Sequence, residues 1–404
     1  MNSHLTASAI VYTVPPLWQM LPLFGYFVGL SAAIGTTVTY AAVVRPALRI
    51  RGNEGGDVET LRRRTATSLA WAGVLLDVTA YFQLAAFVAQ SGKGAPYGDA
   101  LEPGQIWAFM SAPAKPGNWV SEGTLFLVQS LIIVLTSALL IALFSPRARR
   151  RLDWLALTAL PFALAATLIR LVPAAPFATT EALLNKVFLQ THIVSGCTWL
   201  GGLALLVVLA GTRRSLSDRA GLLWADMWRR FGFVALISVG AALISGLWLT
   251  WQHIGSIPQL WTTTNGVILL VKIILVLGMI TAGAVNSFWL MPRIALAREA
   301  DPTASLVHLT LRHFPKVVWT EVALGTGVLT AITFFNGSAR AEATGQGAPP
   351  VDPGLIIAGA VFALTLAASL YASAKASDAL ARRRIAAHAA TATARPEAVS
   401  QDVV

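Results

Sequence analysis

The sequence predicts an all-α, polytopic membrane protein with about nine transmembrane helices. Of its 404 residues, 55% are hydrophobic and only 12% are charged, and the mean hydropathy is +0.65. These values lie far outside the range of soluble domains. A helix needs about 20 apolar residues to cross roughly 30 Å of hydrocarbon. Segments of this kind occur at 17–44, 66–90, 120–144, 153–172, 183–210, 231–252, 266–290, 317–335 and 354–374.

The basic residues predict how the chain is oriented in the membrane. The sequence has 30 Lys and Arg against 19 Asp and Glu, and most of the basic residues lie in alternate connections between the spans. Arg clusters at 45–64 and at 147–151 are the first two of these. The positive-inside rule places such connections in the cytoplasm, so the N-terminus is expected outside and the C-terminus inside. Membrane lipids account for the net charge of +11, and no nucleic acid partner is expected.

The chain divides into four predicted parts. Residues 1–180 hold the first four helices and a long outer loop at 91–118, and residues 181–336 hold helices five to eight. Residues 337–375 form an outer tether and the ninth helix, and residues 376–404 form a basic, disordered cytoplasmic tail. The outer loop contains one apolar island, IWAFM, which we expect on the membrane surface or as a cap on the bundle. The N-terminus has no basic segment before its apolar stretch and does not resemble a cleaved signal.

Several classes of function are excluded by missing motifs. The sequence has no GxxxxGK[ST] loop, HExxH, GxSxG or paired-cysteine motif, so neither ATP hydrolysis nor another enzymatic activity is predicted. A single cysteine, Cys197, cannot form an intramolecular disulfide. The candidate functional residues are therefore the polar residues inside the spans, where a charge costs about 2.5–3.5 kcal/mol on insertion scales.

Two charged residues lie deep in the predicted spans. Asp77 is about 20 Å along span two, near the midplane of the membrane. Lys272 lies inside span seven and is the obvious electrostatic partner for Asp77. The sequence leaves two interpretations open, because the two residues could form a neutral structural pair or could line an ion or proton path.

Glu321 and Asn286 are expected at one depth near the inner face, on spans eight and seven. A hydrogen bond between them would join those helices. An exit site for a transported ion is the alternative.

His192 lies in the outer third of span five. Ser195 and Trp199 follow on the same helical face, while Cys197 is about 140° away around the helix and is expected to pack. Gly201 and Gly202 leave room for the backbone of another helix.

His253, Glu122 and Met20 begin or end their spans on the outer side, toward which His192 also lies. Together these four side chains could form an outward-facing metal site, since imidazole and thioether suit Cu(I) and imidazole with carboxylate suits Cu(II). Imidazole also suits zinc. A hydrogen-bonded packing role for His192 is the alternative.

Four segments then indicate a family. They are the run from His192 through Trp199 to Gly201 and Gly202, RFGFVALISVGAALISGLWLTW (230–251), TTTNGVILLVKIILVLGMITAGAVNSFWLMPRI (262–294) and WTEVALGTGVLTAIT (319–333). In order and spacing they resemble the membrane domain of the copper resistance protein D (CopD/PcoD) family, over roughly residues 186–335. The matching positions are His192, Trp199, Gly201, Gly202, Lys272, Asn286 and Glu321.

The resemblance implies a multi-pass protein of the bacterial inner membrane that contributes to copper homeostasis or resistance. Copper would be the substrate rather than a tightly bound cofactor. It would enter at His192 and pass Asp77, Lys272 and Glu321 by facilitated or ion-coupled movement. A periplasmic copper carrier or a cuproenzyme is the implied partner.

Three alternatives remain open: a copper-supply or assembly factor for a cuproenzyme, a transporter of another solute, and a haem or electron-transfer protein. The chain has only six Met and six His, and no outer loop is rich in either.

Overall fold

The protein is described by a computed structural model. The described residues are 11–49, 55–92, 96–175, 179–212, 215–217, 220–285, 306–349, 351, 354, 356–369, 371, 372 and 375. In this part of the chain all regular secondary structure is helical. The prediction of an all-α protein is confirmed.

Eight long helices correspond to the first eight predicted spans. They are α1 (Leu17–Thr39), α2 (Gly56–Ser91), α3 (Glu122–Ile141), α4 (Leu152–Leu168), α5 (Thr180–Ala210), α6 (Ala220–His253), α7 (Thr264–Val285) and α8 (Leu306–Thr333). Short helices lie between them at Arg45–Leu48, Tyr97–Ala100, Pro103–Met110, Pro146–Arg149 and Gln259–Thr262, and another follows α8 at Ala339–Thr344.

Seven of the described helices, α1 to α7, are long and apolar enough to cross a membrane. The ninth predicted span is represented by a shorter apolar helix, Ile356–Ser369. The chain is therefore a multi-pass membrane protein, whereas the count of nine spans and the orientation stay predictions.

Helix α1 lies at the centre of the bundle. It packs mainly against α2 and α5, and also contacts α4 and α8. On one side of α1, α2 packs on α3, and α3 packs on α4. On the other side, α5 packs on α6, and α7 packs on α8. The sequential helices thus form two groups that meet at α1 and α5.

Glycines allow α1 and α5 to cross at very short range. The backbone of Gly35 contacts that of Gly201, and a Cβ atom at Gly201 would overlap the carbonyl group of Ser31. A Cβ atom at Gly202 would collide with the Thr39 hydroxyl and the ring of Phe231. Small residues let helix backbones approach in this way, as the sequence predicted for Gly201 and Gly202.

The predicted outer loop caps one end of the bundle. Its apolar island forms the helix Pro103–Met110, whose Ile106 and Met110 are buried. They pack in a cluster with Leu84 and Val88 of α2. Of the two roles predicted for this island, the structure shows the cap.

The predicted tether after α8 is partly fastened to the bundle. Ser338 caps the helix Ala339–Thr344, and Arg340 donates hydrogen bonds to the carbonyl groups of Trp251 and Ile254. This part of the predicted tether is thus bonded to residues far away in sequence, which its composition does not reveal.

The carboxylate of Glu342 joins the same segment to the start of α7. It accepts hydrogen bonds from the backbone N–H groups of Thr264 and Asn265 at 2.8 and 2.9 Å, and from the Asn265 amide at 3.0 Å. Partial burial raises the pKa of Glu342, but these hydrogen bonds outweigh it and the net pKa is lowered. A carboxylate at the N-terminus of a helix also interacts favourably with the helix dipole.

We predict that Gly201→Ala destabilises the protein by about 1–3 kcal/mol, because the added methyl group must separate α1 from α5. Gly196→Ala, on the same helix, is the control, since a Cβ atom there meets open space. It should leave stability unchanged or raise it by up to about 1 kcal/mol, because Ala is a better helix former than Gly. Thermal unfolding of both variants in one detergent provides the measurement, and equal effects would contradict the close crossing.

We also predict an acid-sensitive contribution from Glu342. Because its pKa is lower in the folded than in the unfolded protein, the stabilisation is fully present above the unfolded value of 4.5 and is lost as the pH falls through the folded value. Glu342→Gln should therefore lower the melting temperature at neutral pH and have less effect in acid. Glu102→Gln, at an exposed acid of the outer loop, is the control and should change the melting temperature little at neutral pH.

Candidate functional site

His192 on α5 is turned toward α6. Its Nδ1 atom lies 3.0 Å from the carbonyl oxygen of Ala242 and 3.2 Å from the hydroxyl of Ser245. A carbonyl oxygen can only accept, so Nδ1 carries the hydrogen and donates it to Ala242. The Nε2 atom of the neutral ring is therefore left with a free lone pair.

Lys272 on α7 lies at that lone pair. Its Nζ atom is 3.5 Å from Nε2 of His192, and the ion pairs of the described residues include none between Lys272 and Asp77. Of the two interpretations left open by the sequence, the structural pair between Lys272 and Asp77 is therefore not found among the described residues. The sequence could not show that α5 and α6 place an imidazole nearer to Lys272 than the carboxylate on α2.

The contact between Lys272 and His192 has a chemical consequence. A metal ion bound by neutral imidazole uses the lone pair that the lysine ammonium occupies here, and the hydrogen bond from Nδ1 orients the ring as in many metal sites. A copper ion and the ammonium of Lys272 would therefore compete for Nε2 of His192.

The other three predicted metal ligands lie on other helices than His192. The Nδ1 atom of His253 bonds the Leu249 carbonyl oxygen at 2.6 Å, one turn back on α6, and its ring packs edge-on against Phe335. His253 is eight residues beyond Ser245, or about 12 Å along α6. The predicted outer metal site is thus divided along α6, because His192 faces the middle of that helix.

Glu122 and Met20 belong to the N-terminal group of helices. Glu122 is exposed at the first turn of α3, and Met20 is buried in the first turn of α1. In the part of the chain that the structure describes, no three His, Cys, Asp or Glu residues lie close enough to hold a metal ion.

Glu321 is a buried acid on α8. Its side chain is 3% exposed, and its Oε1 atom has no hydrogen-bond partner among the described residues. It faces α7 at Gly283, where an added Cβ atom would lie 3.6 Å from Oε1. Asn286, its predicted partner, lies outside the described residues.

Met279 on α7 was not among the functional residues predicted from the sequence. It is 3% exposed, and its methyl group lies against Gly325 of α8, 3.4 Å from where a Cβ atom would be. Met279 follows Lys272 by seven residues and precedes Gly283 by four, so all three lie on one face of α7. That helical phase was visible in the sequence and could have identified Met279.

The remaining candidates of α5 pack in the protein core. Trp199 is 8% exposed and belongs to the main apolar cluster. Cys197 is buried and accepts a hydrogen bond from the Ser31 hydroxyl at 3.4 Å, so the prediction that Cys197 packs away from His192 is confirmed.

Asp77 lies apart from these residues, in a cavity of the N-terminal helices. The cavity has a volume of about 380 Å³ and is lined by α1 to α5. Asp77 and Lys272 are therefore in two different polar environments.

This arrangement is that of a multi-pass helical membrane protein with ionisable side chains buried between its helices. Such residues are typical of substrate and ion paths in transporters. The family model for copper resistance protein D matches residues 225–335. The resemblance noted in the sequence is confirmed for this segment, which contains Lys272, Met279 and Glu321.

A curated relative has a related name. The copper transport protein CutJ of Bacillus subtilis (strain 168) is 28% identical over 231 residues, which is 57% of this chain and 41% of that protein. The chain thus matches less than half of the relative's length. No solved structure gives a significant match. The comparisons thus relate residues 225–335 of this chain to the copper resistance protein D family.

We predict that Gly246→Val displaces the His192 ring, because even a Cβ atom at Gly246 would lie only 3.2 Å from Cε1 of that ring. The expected cost is about 1–3 kcal/mol of stability. In a His192→Ala background the same change should cost much less, since the side chain that it meets is gone. Gly232→Val on the same helix is the control, because a Cβ atom there has no neighbour. An equal cost in both backgrounds would contradict the packing described.

Proposed function

We propose that this protein moves copper inward across the bacterial inner membrane, by facilitated or ion-coupled movement. The observation that carries the proposal is the family match over residues 225–335. It covers α7 and α8, which hold the buried polar groups next to His192. The name of the B. subtilis relative, a copper transport protein, supports the same substrate.

The proposed path begins at His192. An arriving copper ion displaces the Lys272 ammonium from Nε2 of the imidazole, so the two cations do not occupy the site together. Because imidazole and thioether groups suit Cu(I), this oxidation state fits the residues best. Lys272 then acts as a gate that fills the vacated position after the copper has moved on.

The next group along α7 is Met279. It lies about 10 Å further along the helix than Lys272, on the same face. Its thioether is a soft ligand that copper can leave again. Glu321 follows near the predicted inner end, where its carboxylate balances the charge of the ion. Asn286 and Trp199 stay proposed neighbours of this path, without an assigned contact to copper.

The test measures copper accumulation in cells and copper binding by the purified protein. His192→Ala and Met279→Leu should both lower accumulation, and loss of a ligand should weaken copper binding about tenfold or more. Met227→Leu is the matched control for Met279→Leu, since Met227 is also fully buried but lies on α6 away from the path. His253→Ala is the control for His192→Ala.

Equal copper content in cells with the wild-type protein and with His192→Ala, measured by elemental mass spectrometry at equal protein levels, would refute the path. Normal total copper together with an unmetallated cuproenzyme in a deletion strain would instead indicate a copper-supply factor. Loss of binding in Met227→Leu as well would show that the effect of Met279→Leu is not specific.

A further inference from the structure

The cavity of about 380 Å³ in the N-terminal helices has no role in the copper path and lies outside the matched segment 225–335. Helices α1 to α5 all contribute to its wall. Its most polar lining residues are Tyr26, Asp77, Gln83, Gln129, Arg170 and Gln190. This density of polar groups is unusual for space between membrane helices, where each such group needs a partner.

Several of these groups have no partner in the described protein. Gln190 is only 7% exposed, yet its side-chain amide makes no hydrogen bond to any described residue. The Oε1 atom of Gln83 is likewise buried without a partner. The Asp77 carboxylate makes no ion pair or hydrogen bond in this part of the chain. An unsatisfied buried group such as the Gln83 oxygen costs about 1–3 kcal/mol, so this atom is expected to bind water. Gln190 and the half-buried Asp77 can bind water of the same cavity.

Gln129 shows how the wall is held in place. Its Nε2 atom donates hydrogen bonds to the carbonyl oxygen of Ala166 at 2.8 Å and to the hydroxyl of Tyr26 at 3.2 Å. Both amide hydrogens are therefore used within the protein. Its carbonyl oxygen is left to accept a hydrogen bond from water in the cavity.

The cavity extends along α2, from Asp77 to Phe87. Near the predicted outer end the rings of Phe87 and Phe126 lie 4.3 Å apart, and the guanidinium group of Arg170 covers the Phe126 ring at 4.4 Å. Asp77 precedes Phe87 by ten residues on α2, or about 15 Å. Asp77 is therefore at the deep end of the cavity.

We propose that this cavity is filled with water from the predicted outer side and that Asp77, at its deep end, takes up and releases a proton. A proton needs a single carboxylate and a chain of water, whereas a metal cation needs several ligands. No second acid, His or Cys joins Asp77 in a metal-binding group among the described residues.

The other titratable or charged groups in the wall are few. They are Tyr26 on α1, Tyr81 on α2 and Arg170 at the end of α4, where Arg170 also interacts with Glu122. From α3 and α5 only uncharged polar side chains face the cavity, namely Gln129, Ser130 and Gln190. His192 lies on the opposite side of α5, against α6.

The proposal does not depend on copper as the substrate. If the proposed function also holds, α5 links the two sites, because Leu189, Gln190 and Ile193 line the cavity while His192 faces α6. Proton binding at Asp77 could then supply the ion coupling.

The first test uses cysteine labelling. Cys197 is the single cysteine of the chain, so Cys197→Ala provides a background without thiols. Ser130 lines the cavity, whereas its neighbour Leu131 is 61% exposed on the outside of the bundle, where lipid is expected. In intact cells, a charged reagent that cannot cross the membrane should label Ser130→Cys but not Leu131→Cys, because thiols react as thiolates in water. No labelling of Ser130→Cys, or equal labelling of both, would overturn the water-filled cavity.

The second test detects the proton itself. Infrared difference spectra of the purified protein between acid and alkaline pH should contain a carboxyl C=O band that is absent from Asp77→Asn. Asp99→Asn, at an exposed acid in the outer loop, should retain this band. The substitution conserves size, and a melting temperature checks that each variant is folded. A band that survives in folded Asp77→Asn would overturn the proton site, whatever the result for copper.

Discussion

The contact between the backbones of Gly35 and Gly201 is the constraint on which the rest of the structure depends. With no side chain between α1 and α5, neither helix can rotate without a collision, so every residue of α5 has a defined direction. Cys197 meets Ser31 on α1, Gln190 lines the cavity of the N-terminal helices, and His192 meets Ala242 on α6. The contact between Gly35 and Gly201 therefore fixes which residues of α5 face α1, which face the cavity and which face α6.

The electrostatics of the buried groups follow from this arrangement. Because the helices place His192 beside Lys272, the lysine neutralises neither Asp77 nor Glu321. Asp77 and Glu321 are thus free of ion pairs within the described residues, although an unpaired charge is costly inside a membrane. Structural pairs would have removed both acids from any transport chemistry. Their separation gives the protein two independent acidic positions, one in each group of helices.

The residues around the proposed copper path fit a cation that is passed on rather than stored. A tight copper site would gather several imidazole, thiolate or thioether ligands around one point. Here His192 lies on α5, Met279 on α7 and Glu321 on α8, and no three His, Cys, Asp or Glu residues of the described chain lie close enough to hold a metal ion. Each position offers few ligands, so an ion can leave it for the next.

The sequence by itself determined the helices, since a membrane accepts only segments with about 20 apolar residues and satisfied backbones. It also determined the small-residue surface at Gly201 and Gly202 and the direction of Cys197, because helical phase is a local property. Tertiary structure decided which polar groups meet. Lys272 lies by His192 instead of Asp77, His253 and Glu122 lie away from His192, and Glu342 fastens a segment predicted as a tether. These contacts join residues far apart in the chain, and their distances depend on helix rotation and crossing, which composition and periodicity do not contain.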